Sequence, residues 1–108
     1  PSPRIKRYLM KLAKETLTEM AEEKAAQIGC KIKDVHVRDT KSRWGSCSED
    51  GGLSFSWRLI LAPKDAMDYV VAHEVAHLKH MHHRDTFWKL CEKLSENFFE
   101  GHYWMDKH

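Results

Sequence analysis

The stretch that decides the fold is PKDAMDYVVAHEVAHLKHMHHRD, residues 63–85. Pro63 closes an apolar run at 59–62 and, with Asp65 as the cap, opens a predicted helix over about 64–80. At about 100° per residue, Met67, Val71, Val75 and Leu78 share one flank, the core face. His73, His77 and His80 fall on the opposite flank with Ala66, Tyr69 and Ala76. Imidazoles one turn apart on a rigid backbone can bind one ion. Glu74 projects about 100° from His73, so it can lie beside that ion without ligating it and accept a proton from activated water.

Chance alone gives an HExxH pattern in about one shuffled version of this chain in twenty, so its context has to carry weight. Here the pattern lies in a helix with its own start signal, has an apolar flank, and is followed by further histidines. Catalytic zinc takes three protein ligands and keeps one position for water. A straight helix carries His80 past an ion held between His73 and His77. Once the helix ends the chain can swing back, which makes His82 and His83 the candidates. His83, six residues after His77, matches a spacing used by enzymes whose third histidine follows the metal helix. Such helices often turn at a Gly, and His80 stands there instead.

Outward from this helix, residues 7–28 repeat apolar side chains at helical spacing and end at Gly29, in the position of a C-terminal capping glycine. Lys31–Arg38 and Arg43–Cys47 read as strands. Glu49 to Gly52 forms a hairpin turn, and Leu53, Phe55 and Trp57 alternate with polar residues as a strand with one buried face. A final helix starts near Asp85, with Phe87, Leu90, Cys91, Leu94 and Phe98 on one side, and Tyr103 and Trp104 fold back on the body. The expectation is α+β: an N-terminal helix, a small antiparallel sheet, the histidine helix and a C-terminal helix.

With 108 residues, 42% hydrophobic and 31% charged, the chain has room for one domain, residues 1–108, with one modest core. It reads as the catalytic part of a longer protein. No apolar run is long enough for a membrane span. Three cysteines without CxxC spacing point to reduced thiols in a cytoplasmic protein. Residues 1–48 hold 11 Lys/Arg against 6 Asp/Glu, while residues 49–108 hold 7 against 10. Four of the first group share the helix at 7–28 with four glutamates, which reads as a solvated face, so nucleic-acid binding is only weakly supported.

The segments SRWGSC (42–47), LSFSWRLILAP (53–63) and VVAHEVAH (70–77), with His83, Phe87 and Trp88 behind them, together resemble the YgjP-like metallopeptidase family. That family lies in the zincin-like superfamily with the SprT-like and WLM groups. The resemblance runs from about Asp39 to Trp88 and implies a zincin fold, Zn(2+) on His73, His77 and His83, and Glu74 as the base. The leading expectation is zinc-dependent hydrolysis of a peptide or protein substrate.

Residues 43–47 could offer a sheet edge to an extended peptide, with Arg43, Trp44 and Ser46 on the substrate side. Tyr103, His102 and Arg84 are candidates to steady the oxyanion. Two rival readings remain. In one, Lys41, Arg43, Arg58 and Arg84 embrace a nucleoside triphosphate in a pyrophosphatase. In the other, a non-catalytic zinc module is closed by Cys47 or His80. The four tryptophans read as core filling.

Overall fold

The computed structural model describes residues 2–108. Helix α1 (Pro3–Gln27) begins earlier than its apolar repeat, because Ser2 accepts a hydrogen bond from the Ile5 N–H and Pro3 occupies the first turn. Ala13, Leu17, Ala21 and Ala25 form its buried stripe at four-residue spacing. The helix closes as a Schellman turn. Gly29 N–H bonds Ala26 O, Cys30 N–H bonds Ala25 O, and Gly29 sits at φ 66°.

Three strands follow: β1 (Asp34–Arg38), β2 (Gly45–Cys47) and β3 (Gly52–Ser56). Their order is β1-β3-β2, so β3 is central and β2 is an edge. The sheet is mixed rather than antiparallel. β2 and β3 form the expected hairpin, with Gly51 at φ 94° in its turn, but β1 runs parallel to β3, pairing Val35 with Leu53 and Val37 with Phe55. Residue alternation reports which face is buried and says nothing about the direction of the partner strand. Ile32 lies before β1, and Trp57 opens a 3-10 turn (Trp57–Leu61) instead of ending the strand. Ser56 makes that change by accepting from Arg58 N–H and donating to Thr40 O.

Helix α2 (Lys64–Ala76) is the central element, ending four residues sooner than its pattern. Pro63 takes the N-cap position. Asp65, the expected cap, lies in the first turn and accepts from the Asn97 side chain. Both flanks are covered, because α1 and the sheet pack on one side and α3 and α4 on the other. Ala66, Ala72 and Ala76 are fully buried along with Val71 and Val75. The single C-terminal helix is in fact two, α3 (Asp85–Leu94) and α4 (Phe98–Lys107).

The break between them is made by a buried polar cluster. Lys24 on α1 meets Asp68 on α2 at 2.6 Å and also donates to Leu94 O at 2.6 Å; Asp68 accepts from Glu96 N–H at 2.8 Å. Asp68 thus draws the backbone out of α3 just where that helix stops. Helix α4 then lies directly on α2. A Cβ added at Gly101 would stand 2.4 Å from Tyr69 Cβ and 2.5 Å from Asp65 O, so only glycine allows this approach. No helix among the described residues is long and apolar enough to cross a membrane.

Candidate metal centre

The last turn of α2 tightens before the chain leaves it. Leu78 N–H bonds Val75 O and Lys79 N–H bonds Ala76 O, and the chain then turns so that His80 O accepts from His77 Nδ1 at 2.9 Å. That bond has a chemical consequence. It fixes the proton on Nδ1, so Nε2 keeps its lone pair and is aimed inward. Burial also pushes the His77 imidazole below its usual pKa, which favours the neutral, ligating form. The turn at 78–83 brings His83 back. Its Nε2 lies 3.1 Å from His77 Nε2, and ligand atoms of His73, His77 and His83 all fall within 4.8 Å of one another.

Three imidazoles converging this closely fit one divalent ion. At Zn–N distances near 2.0–2.1 Å, tetrahedral geometry separates ligand nitrogens by about 3.3 Å. Neither Cys47 nor His80 joins the cluster among the described residues. His80 instead contributes the carbonyl that orients His77, and His82 Nδ1 accepts from Arg84 N–H, fixing the loop.

Helix α3 supplies an aromatic backing. Phe87, fully buried, lies 5.0, 4.4 and 5.0 Å from the rings of His73, His77 and His83. Trp88 lies 5.7 Å from His73 and 5.9 Å from His83, and its Nε1–H bonds His83 O at 3.0 Å. Trp88 packs against the core as expected and also holds the loop bearing His83. Trp44 likewise packs against the core while half-buried on the cleft, edge-on to Trp104 at 5.9 Å. Trp57 is buried in the core.

Glu74 is only 6% exposed, and its Oε2 lies 3.1 Å from His73 Nδ1. It opens into a cleft of about 190 Å3 walled by Trp44 and Gly45 on one side and by Tyr69 and Met105 on the other. Gly45 is what lets β2 come so near, since a Cβ there would stand 3.1 Å from Glu74 Cγ and 3.1 Å from Phe55 Cδ1. Of the residues expected on the substrate side, Trp44 lines this cleft, while Arg43 and Ser46 line an adjoining depression.

The oxyanion candidates part company. Tyr103 is 64% exposed and sits beneath Lys107, and Arg84 is exposed at the start of α3. His102 packs on Tyr69 at 5.5 Å, and Tyr69 packs on His73 at 6.0 Å. Tyr69, placed on the histidine flank by the sequence but given no role there, lines the cleft beside His73. Its position one turn before His73, on the histidine flank, was the available signal.

No curated protein sequence is significantly similar to this chain. Among solved structures, the metallopeptidase zymogen abylysin of Pyrococcus abyssi superposes with a TM-score of 0.66 at 24% identity, covering 78% of this chain and 86% of that one. At that identity the likeness is one of fold. A family profile described as the YgjP-like metallopeptidase domain matches residues 2–108. A metallopeptidase family calls for a divalent metal, and the converging histidines suit one. The chain therefore belongs to the YgjP-like metallopeptidase family.

Proposed function

We propose that residues 1–108 form one zincin-like domain that hydrolyses peptide bonds with zinc held by His73, His77 and His83 and with Glu74 as general base. The observation that carries this reading is the convergence of three imidazole nitrogens beside a buried carboxylate that faces an edge strand. A bound zinc ion supplies Lewis acidity, acidifying water in its open position and polarising a carbonyl.

Glu74 accepts a proton as the water oxygen adds to the peptide carbonyl carbon. It delivers that proton to the amide nitrogen as the C–N bond breaks, leaving an amine and a carboxylic acid, which then gives up its own proton to the amine or to solvent. Tyr69 donates a hydrogen bond to the oxyanion. Burial pushes its phenol well above the usual range, so it stays protonated and able to donate.

The edge strand suits an extended substrate. Ser56 N–H bonds Trp44 O, Ser48 N–H bonds Gly52 O, and Ser46 pairs with Ser54 between them. By antiparallel alternation, the N–H and C=O of Gly45 and Cys47 then turn to the open edge, where a peptide can pair. Arg43, Trp44 and Ser46 flank that edge.

The test is Glu74→Gln on protein loaded with one zinc per chain, read by plasma mass spectrometry and by cleavage of an unstructured protein. Retained zinc with turnover reduced at least about 100-fold is expected. Undiminished turnover would overturn the assignment of Glu74.

A further inference from the structure

Two depressions adjoin the catalytic cleft along β2. One, of about 300 Å3, shares Trp44 with it and is lined by Lys41, Arg43 and Arg58 with the hydroxyl-bearing Thr40 and Ser42. The other, of about 220 Å3, shares Gly45 with the cleft and is lined by Arg43 again, with Arg38. Both depressions border the cleft through these shared residues, and they set a cluster of cations beside β2.

The charges around these depressions are unequal. Arg58 is engaged, donating to Asp39 at 2.9 Å and to Thr40 O at 3.1 Å. Among the described residues Asp39 is the one carboxylate paired there, and it also holds Lys6 and the Trp57 indole N–H. The Arg38 side chain bonds the Ser54 hydroxyl and forms no ion pair among the described residues. Lys41 and Arg43 are exposed and form no ion pair among the described residues. A planar guanidinium beside an ammonium, with hydroxyls around them, is a setting for a carboxylate.

We propose that the depression lined by Lys41 and Arg43 is a specificity subsite that takes a carboxylate of the substrate peptide. The proposal rests on the peptidase reading of the adjoining cleft. A peptide fits better than a nucleic acid. Lys41 and Arg43 line a depression that borders the cleft itself, whereas on α1 Lys6 is taken by Asp39, Lys14 is taken by Val35 O, and Glu15, Glu19, Glu22 and Glu23 occupy the second half of the helix. For exposed groups in water, two such contacts favour an acidic peptide over its uncharged isostere by about tenfold at low salt.

The experiment uses the zinc-loaded Glu74→Gln protein and fluorescence anisotropy of labelled hexapeptides at low ionic strength. One peptide carries Asp residues, a second carries Asn in their place, and both are amidated. A third is the Asn peptide with a free C-terminus, which asks whether a terminal carboxylate serves as well as a side chain. The Asp peptide is expected to bind about tenfold tighter than the Asn peptide. The ratio should collapse towards one in Lys41→Gln/Arg43→Gln and shrink in high salt.

Absence of an acidic advantage, or an advantage that survives the double substitution, overturns the subsite. So does a single-stranded oligonucleotide that outcompetes the Asp peptide. The wild-type zinc protein is run beside it on the same peptides. Binding discrimination without any cleavage refutes the peptidase reading alone, and cleavage without discrimination refutes the subsite alone.

Discussion

Lys24→Met is the most informative test of how this small domain is held together. The Lys24 and Asp68 side chains are 7% and 6% exposed, and their atoms meet at 2.6 Å. Both are fully engaged, since Lys24 also serves Leu94 O and Asp68 also serves Glu96 N–H. Methionine keeps the length of the stem but strands a buried carboxylate and a buried carbonyl. Breaking a buried pair from one side costs about 3–5 kcal/mol, a large part of the 5–15 kcal/mol typical of a whole domain. For a chain of this size the melting temperature should fall by at least about 10 °C.

Replacing both partners, as Lys24→Met/Asp68→Leu, removes the uncompensated charge. What remains is two unsatisfied backbone groups, at about 1–3 kcal/mol each. The double variant should therefore be less damaged than the two single effects summed, by at least about 1 kcal/mol. Urea unfolding followed by tryptophan fluorescence measures all four proteins, with chelator present throughout so that metal release does not enter. A Lys24→Met loss below about 1 kcal/mol, or strict additivity, would refute the reasoning.

Other expectations concern the cleft and the loop beside it. Gly45→Ala forces Glu74 and Phe55 to give way at 3.1 Å contacts; it should cost about 1–3 kcal/mol in urea unfolding and lower kcat by at least about tenfold through displacement of the base. Tyr69→Phe should lower kcat by about 100–1000-fold with zinc content unchanged, and unaltered kcat would remove it from the oxyanion role. The bonds from Lys6, then Trp57 and Arg58, hold the Asp39 carboxyl well below the usual range. Its stabilising contribution is then complete above the unfolded pKa near 4 and fades as pH falls through the lower folded value. Stability between pH 5 and pH 2 should accordingly fall more steeply in the wild type than in Asp39→Asn, as read by urea titrations at fixed pH.

What could be read in the sequence was whatever local geometry dictates. The turn before β3 needs a residue at positive φ, and Gly51 supplies it. Gly29 likewise marks the end of α1. The spacing of His73, His77 and His83 carried the expectation of a common point in space, and their nitrogens do converge. Three features were beyond reach because distant residues impose them. Helix α2 stops at Ala76 although no Gly or Pro follows, because the turn of His80 onto His77 is held in place by α3. The break between α3 and α4 answers to Asp68, some thirty residues earlier. The parallel pairing of β1 with β3 depends on a crossover that alternation cannot encode. The need for Gly45 was hidden for a similar reason, since it is set by the Glu74 and Phe55 side chains that close on it.

β2 spans only three residues, and it ends the sheet. An edge so short cannot pull a strand from another protein's sheet, where each residue is already paired. A substrate that pairs there, as proposed, has to be free and extended when it arrives. The state of the target then sets the rate as much as its sequence does. For a folded target, cleavage should scale with the fraction of time its segment is locally open, so that each 1.4 kcal/mol of local stability slows the cut about tenfold. If substrate pairs at this edge as proposed, locally open segments would be cut faster than well-packed ones of the same sequence.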